Sequence, residues 1–341
     1  MQNAQKDVAS LLPEELEAEL KDMGEAPFRA RQIFDWLKKG VWDFDEMRNL
    51  PQPLRAHLAE RFRLHAPQVL RKQVSRTDGT VKYLWRLHDG NAVESVVMKY
   101  SYGNTVCISS QVGCRQGCVF CASTGLGFKR NLDAGEMLAE VLFSQIDSGS
   151  PISGVVLMGI GEPLENYEQV LRFLKLVNHP RGMNIGMRHI SLSTCGLVPE
   201  IRRLAEEGLQ LTLSVSLHAP DDETRRTMMP IAKKYDIETL IDCCADYFRC
   251  TERRISFEYA LIQGVNDAAW QAEKLAALMR RTHGHLNLIP LNRVEGSSLI
   301  PGDIKSFADM LKKLGVNVTV RRRLGADIDA ACGQLRRKEA T

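Results

Sequence analysis

The chain has 341 residues, of which 44% are hydrophobic and 26% charged, and its formal net charge is +3. This composition is typical of a globular protein with a large core and excludes a disordered or strongly basic chain. No apolar run approaches the roughly 18 residues that a bilayer span needs, and the start MQNAQKD lacks the features of a secretion signal. We therefore expect a cytoplasmic protein without membrane association, whose nine cysteines are not a disulfide framework.

The N-terminal part of the chain has helical periodicity. Between residues 13 and 65 the segments are PEELEAELKDMG, FRARQIFDWLKKG and LPQPLRAHLAERF, punctuated by glycine and proline. They predict a small helical domain over residues 1–67. The runs VKYLWRL and AVESVVMKY are separated by the turn residues HDGN, which predicts a β-hairpin module over residues 68–103.

From residue 104 to residue 341 strand-like and helix-like runs alternate. The strand-like runs are TVCISSQ, ISGVVLMGI, RHISLSTC, LTLSVSLH, RISFEYALI and HLNLIPL. This order is typical of parallel βα units, so we expect an α/β fold with a partial (β/α)6 barrel. Polar residues follow several of the predicted strands, and the chemistry of such barrels lies at the C-terminal ends of the strands.

Three cysteines lie in the stretch CRQGCVFCAST after the first predicted barrel strand: Cys114, Cys118 and Cys121. A structural zinc site needs four ligands, usually from two cysteine pairs, and no second pair of that spacing occurs. A four-iron cluster bound by three thiolates would leave one iron without a protein ligand. The spacing therefore favours an iron–sulfur cluster with one open coordination site.

The motif CxxxCxxC in this position resembles that of the radical S-adenosylmethionine superfamily, in which the open iron binds the methionine part of the cofactor. Further segments, VCISSQVGCRQGCVFCASTGLGFKRNL, MGIGEPLENY, HISLSTCG, SLHAPDDETR, NLIPLN and DIDAACGQLR, resemble the RNA adenine-C2 methyltransferases. The resemblance implies a [4Fe–4S] cluster held by Cys114, Cys118 and Cys121, and two S-adenosylmethionine molecules per turnover. It also implies cofactor contacts from Gly161, Glu162, Ser193, Ser216, Leu217, His218 and Asn292.

The resemblance further implies three catalytic residues. Cys332 would be methylated first and would then carry the methyl carbon, as a radical, to C2 of adenine. Cys107 would form a disulfide with Cys332 as the product leaves, and Glu94 would accept the C2 proton. The residues alone suggest only a buried strand cysteine at Cys107 and a solvated strand carboxylate at Glu94.

The partners implied by the resemblance are 23S rRNA, at adenosine 2503, and tRNA, at adenosine 37, with flavodoxin or ferredoxin as electron donor. The helical domain and the arginine clusters would hold the RNA backbone, and we expect a monomer. One alternative is an adenine-C8 methyltransferase that confers antibiotic resistance. Pro163 favours C2, whereas Arg293 replaces the proline expected after Asn292. Another alternative is a non-catalytic RNA-binding protein with zinc.

Overall fold

The computed structural model describes residues 5–125, 127–292, 297–328, 330 and 335. The N-terminal region contains three helices flanked by two short strands. Its elements are β1 (Lys6–Asp7), α1 (Pro13–Asp22), α2 (Phe28–Lys38), α3 (Gln52–Arg61) and β2 (Phe62–Arg63). Helix α1 begins at a proline, which has no N–H to leave unpaired there, and the Glu15 carboxylate accepts a hydrogen bond from the backbone N–H of Leu12.

Three antiparallel strands follow and lead directly into the barrel sheet. They are β3 (Gln68–Val74), β4 (Val81–Arg86) and β5 (Ala92–Tyr100), and β5 pairs with the first barrel strand, β6 (Gly103–Cys107). The sequence predicted the hairpin of β4 and β5, and the structure adds β3 beside it. These strands extend the barrel sheet, since β6 is hydrogen-bonded to β5 on one side and to a barrel strand on the other.

The rest of the chain is the βα barrel. Its elements are β7 (Gln111–Val112), β8 (Arg130–Asn131), α4 (Ala134–Ser148), β9 (Ile152–Leu157), α5 (Tyr167–Asn178), β10 (Ile190–Thr194), α6 (Val198–Glu206), β11 (Thr212–Ser216), α7 (Asp222–Met228), α8 (Ile237–Thr251), β12 (Ser256–Leu261), α9 (Ala269–Thr282), β13 (His285–Pro290), α10 (Ile304–Lys313) and β14 (Val318–Val320). The sheet order is β14-β13-β12-β11-β10-β9-β6-β5-β4-β3. From β6 to β14 all neighbouring pairs are parallel. The predicted partial barrel is confirmed, and β14 adds a further parallel strand.

The two faces of the sheet pack against different groups. Val97 and Val106, paired across β5 and β6, lie in the main core between the sheet and its helices. Their neighbours Val96 and Cys107 point to the opposite face, because side chains alternate along a strand, and lie in a small separate cluster with Met98. The face that carries Cys107 is thus the face turned away from the helices, toward the barrel interior.

The N-terminal helices are packed onto the barrel through α4. Ala139 and Leu142 of α4 belong to the same buried cluster as Leu16, Ile33 and Leu58 of the helical region. This shared core fixes the helical region beside the β3–β5 extension. Within the described residues, no helix has both the length and the apolar character that crossing a bilayer requires.

Candidate active site

The three cysteines lie on a loop whose two ends are held together by a short ladder. β7 and β8 pair antiparallel, and the backbone N–H of Lys129 donates to the carbonyl of Val112 at 2.8 Å. At the neck of the loop Gly113 has φ +84°, and a Cβ there would lie 1.6 Å from the carbonyl oxygen of Gly127. Only glycine fits this crossing, so the loop geometry is set by its sequence.

The cysteine thiols are close enough to influence one another. Burial, assisted by the neighbouring thiols, raises the pKa of Cys114 to about 11 and that of Cys118 to about 12. Cys121 is one of these neighbours and lies in a turn in which its N–H donates to the Cys118 carbonyl at 3.1 Å. Deprotonation therefore needs a bound cation, which is what iron coordination provides.

The donor set fits a cluster better than a single ion. In the described part of the chain, no three histidine, cysteine or carboxylate side chains converge as ligands for one metal ion. Three thiolates that each bind a different iron do not need to converge on one point, and thiolates are the usual ligands of iron–sulfur clusters. The residues present are therefore compatible with a [4Fe–4S] cluster held by Cys114, Cys118 and Cys121.

The cysteine loop is anchored on neighbouring strand ends. The N–H of Val119 donates to the carbonyl of Met228 at 3.0 Å, and the ring of Phe120 lies 4.4 Å from that of His218. On the other side, the Gln116 amide donates to the Glu165 carboxylate at 2.8 Å. These contacts fix the loop above the C-terminal ends of the central barrel strands, where chemistry occurs in such barrels.

Gly161 and Glu162 follow β9 directly beneath this loop. Gly161 has φ +113°, and a Cβ there would lie 2.7 Å from the Cβ of Gln111. The Glu162 carboxylate is buried and accepts hydrogen bonds from the backbone N–H groups of Leu164, at 3.1 Å, and Cys195, at 2.7 Å. Burial raises the pKa of Glu162, and these bonds oppose the rise. The side chain thus ties the end of β9 to the end of β10.

His218 is held as a neutral ring at the end of β11. It is buried with φ +56°, and its Nδ1 accepts a hydrogen bond from the N–H of Ala260 at 2.9 Å. Burial, assisted by the charge of Arg225, lowers its pKa to about 3. Because Nδ1 is an acceptor in the neutral ring, the proton is on Nε2. The sequence did not single out Arg225, although it lies inside the quoted segment SLHAPDDETR.

The other predicted cofactor contacts lie at the same end of the sheet. Ser193 pairs with Ser214 across β10 and β11, and Ser216 ends β11; Ser193 and Ser216 are partly exposed. Leu217 is buried and its N–H donates to the Glu258 carbonyl at 3.1 Å. Asn292 is exposed just beyond β13, and Arg293 lies outside the described residues. The described strand ends therefore present polar groups around one site.

Glu94 lies in a different environment from the one its sequence suggested. It is 3% exposed, and its Oε2 lies 2.9 Å from Nζ of Lys82, which is fully buried. The expectation of a solvated carboxylate was wrong, because the face of β5 that carries Glu94 is the same face as that of buried Val96 and Cys107, turned toward the barrel interior. The buried partner Lys82 was not recognised in the sequence, since the pairing depends on the register of two strands.

Cys107 and Glu94 share one face of the sheet. Cys107 is buried and lies opposite Val96 in the neighbouring strand. Glu94 is two residues from Val96, so Cys107 and Glu94 are diagonal neighbours, whose Cα atoms typically lie roughly 7–8 Å apart. Cys332 lies outside the described residues. The chain that leads to it packs Leu324 against the cluster containing Cys107, and Asp327 accepts a hydrogen bond from Ser75 Oγ at 2.6 Å.

Comparisons with known proteins identify the family of the chain. Residues 108–276 match the family model of the radical SAM superfamily, and residues 7–64 match the ribosomal RNA large subunit methyltransferase N-terminal domain. A probable dual-specificity RNA methyltransferase RlmN of Alkaliphilus oremlandii is 53% identical over 97% of this chain and 98% of its own length. Its counterpart in Clostridium tetani is 50% identical over 95% of this chain and 94% of its own. A crystal structure of a radical SAM methyltransferase from Sphaerobacter thermophilus superposes with a TM-score of 0.91, at 43% identity over 96% of this chain and 98% of that one.

The fold and the cysteine loop define a radical S-adenosylmethionine enzyme, a class that uses a [4Fe–4S] cluster and S-adenosylmethionine. Within that class, the chain belongs to the RlmN family of radical SAM RNA methyltransferases. The predicted family, fold and enzyme class are thereby confirmed. Membership of an enzyme family also argues against the alternative of a non-catalytic zinc protein.

Proposed function

We propose that this protein methylates C2 of adenosine in RNA, at adenosine 2503 of 23S rRNA and adenosine 37 of tRNA. The observation that carries the proposal is the placement of Glu94 and Cys107 on one interior face of adjacent strands. The names of the relatives, dual-specificity RNA methyltransferases, support the substrate class. Pro163, which begins the helical turn after Gly161 and Glu162, supports C2 over C8.

Cys114, Cys118 and Cys121 would hold the cluster, and the strand ends would hold the cofactor. When bound, the cluster supplies the electron that cleaves S-adenosylmethionine to a deoxyadenosyl radical. Gly161 lets a ligand approach the backbone closely, because it has no side chain and a positive φ. The remaining contacts would come from the polar strand ends: Ser193, Ser216, Leu217, His218 and Asn292.

Cys332 would carry the transferred carbon. Its thiolate would take a methyl group from one S-adenosylmethionine molecule. The methyl group would then lose a hydrogen atom to the deoxyadenosyl radical that comes from a second S-adenosylmethionine molecule. Adenine C2 lies between two ring nitrogens and is electron-poor, so addition of a carbon radical is chemically reasonable. The new bond links Cys332 to the base, and the RNA stays covalently attached until the sulfur–carbon bond breaks.

Glu94 and Cys107 would complete the reaction. The Glu94 carboxylate would accept the proton from C2, and the ammonium group of Lys82 lies 2.9 Å from that buried carboxylate. The adduct radical would also have to give up one electron, the equivalent of the electron spent on cleaving the second S-adenosylmethionine. The Cys107 thiolate would then attack the Cys332 sulfur to form a disulfide. The electron pair of the broken sulfur–carbon bond would stay on the carbon, which takes up a proton and becomes the methyl group. The disulfide must be reduced before the next turnover. We expect a monomer that receives its electrons from a flavodoxin or ferredoxin.

The RNA substrate would be held partly outside the barrel. A base inside a duplex cannot present C2 to a pocket, so the target adenosine must be unpaired and displaced from its stack. The N-terminal helical region matches the family model of an rRNA methyltransferase domain, and it is fixed to the barrel through α4. We therefore assign it to RNA backbone contacts.

The test is mass spectrometry of nucleosides from a 23S rRNA fragment and from tRNA after anaerobic incubation with cluster-loaded protein, S-adenosylmethionine and reductant. We expect 2-methyladenosine from both RNAs. Cys332→Ala should give no product with its iron content unchanged, and Cys107→Ala should accumulate a covalent protein–RNA species. Cys243→Ala is the matched control, because Cys243 is buried in α8 away from these residues. An 8-methyladenosine product would assign the chain to the resistance group, and full turnover by Cys332→Ala would overturn the mechanism.

A further inference from the structure

Arg225 is a buried cation at the C-terminal ends of two barrel strands. Its side chain is fully buried. Its Nη2 donates to the carbonyl of Cys195 at 2.8 Å and to that of Ser216 at 3.3 Å, and its Nε donates to the carbonyl of Leu217 at 3.2 Å. The guanidinium therefore clamps the segment after β10 to the end of β11.

These hydrogen bonds to carbonyl groups neither neutralise the charge of Arg225 nor give a partner to its second terminal nitrogen. Nη1 is buried and has no hydrogen-bond partner among the described residues. Over the same part of the chain, no carboxylate lies within ion-pair distance of the guanidinium; the nearby Asp222 pairs instead with Arg226, at 3.8 Å. A buried charge is costly unless it is compensated, so a negatively charged partner is expected here.

The cysteine loop is attached on both sides of this arginine. On one side Val119, which follows Cys118, donates its N–H to Met228 of α7, the helix that contains Arg225. On the other side the Phe120 ring lies against His218, the residue after Leu217. A Cβ on Gly117 would lie 3.4 Å from Cγ of Pro230, just beyond α7. The loop segment from residue 117 to residue 120 is therefore held against α7 and against the residues that follow β11, and the Arg225 side chain joins these two parts of the chain.

We propose that Arg225 is a positioning and tuning residue for the iron–sulfur cluster, whose negative charge is the missing partner of its guanidinium. This inference rests on the cluster assigned to the three cysteines. Hydrogen bonds and net charge near the sulfurs set the reduction potential of such clusters. Reduction adds negative charge, so a buried cation stabilises the reduced form and raises the potential. Because the guanidinium is buried, solvent screens this effect little.

The test compares Arg225→Met, which removes the charge, with Arg225→Lys, which keeps it. Arg226→Met is the matched control, because Arg226 is the next residue of α7 and is exposed. Each protein is loaded with cluster anaerobically, its iron and sulfide are counted, and the midpoint potential is read by EPR during a redox titration. We expect Arg225→Met to lower the reduction equilibrium constant at least tenfold, a shift of about 59 mV to more negative potential. Arg225→Lys should shift less, and Arg226→Met should match the unmodified protein.

Several outcomes would overturn the proposal. One is an Arg225→Met protein with a full cluster and an unchanged midpoint. Another is a loss of S-adenosylmethionine affinity at constant midpoint, which would make the cofactor carboxylate the partner of Arg225. If Arg225→Met does not fold, Arg225→Gln decides in the same way, because it is neutral and can still donate to a carbonyl.

Cluster loading itself gives a second reading. If the neutral variants fold but load no cluster, while Arg225→Lys does load it, the proposal is supported. If Arg225→Lys also loads no cluster, Arg225 acts only as a structural clamp. None of these readings needs RNA. An unmodified protein that binds no cluster would overturn the proposed function itself, which keeps the two failures distinct.

Discussion

Replacing Lys82 by methionine should strongly destabilise the fold, because it removes the ammonium group that lies 2.9 Å from the buried carboxylate of Glu94. The two charged atoms are 2.9 Å apart, and the side chains are 0% and 3% exposed. At an effective dielectric constant of about 20, this separation corresponds to an attraction of about 6 kcal/mol. Desolvation offsets part of it, and removing one partner of such a buried pair typically costs about 3–5 kcal/mol.

The measurement is urea unfolding at pH 7, followed by circular dichroism and compared through the transition midpoints and slopes. Lys72→Met is the matched control, because Lys72 pairs with Asp147 at 2.5 Å but both side chains are 36% exposed. An exposed pair contributes about 0–1 kcal/mol. The double variant Lys82→Met with Glu94→Leu should recover most of the loss, since neither member of this pair then leaves a buried charge behind. A Lys82→Met protein within about 1 kcal/mol of the unmodified chain would refute the reasoning.

Three further predictions concern the site and its surroundings. Gly161→Ala should lower the free energy of unfolding by about 1–3 kcal/mol and weaken cofactor binding, because φ is +113° and the added Cβ would meet Gln111. The control Gly264→Ala, at φ +69° with open space around it, should lower stability less. Equal losses of stability in thermal unfolding would contradict this prediction. Burial raises the pKa of Glu140, so the folded state keeps a proton that the unfolded chain loses, and the stability of the protein should fall as pH rises above 4.5. Glu140→Gln should make this fall less steep. The same dependence of melting temperature on pH in both proteins between pH 5 and 8 would exclude this role. RNA affinity should fall steeply between 50 and 200 mM salt in a filter-binding assay, and a flat response would argue against phosphate contacts.

Local patterns in the sequence were sufficient for the barrel and for the cysteine loop. The βα alternation predicted six parallel strands, because the strand and helix periods differ and a parallel connection requires a crossover. The spacing of Cys114, Cys118 and Cys121 indicated a cluster with an open site, because ligand number is a property of the segment itself. In the structure all three cysteines lie on one loop closed by β7 and β8.

The environment of the buried charged residues near this loop depends on the tertiary structure. The burial of Glu94 beside Lys82 depends on the register of β4 and β5 and on the covering strand β6, which no single segment encodes. Arg225 is adjacent to exposed Arg226 in the sequence, yet α7 places the Arg225 side chain inward, onto the carbonyls of Cys195 and Leu217. The sequence by itself determined the alternation of strands and helices in the barrel and the three-thiol spacing that the cluster assignment uses, since both are local properties. Only the tertiary structure decided which charges are buried and what they face, because that depends on strands distant in sequence being paired in one register.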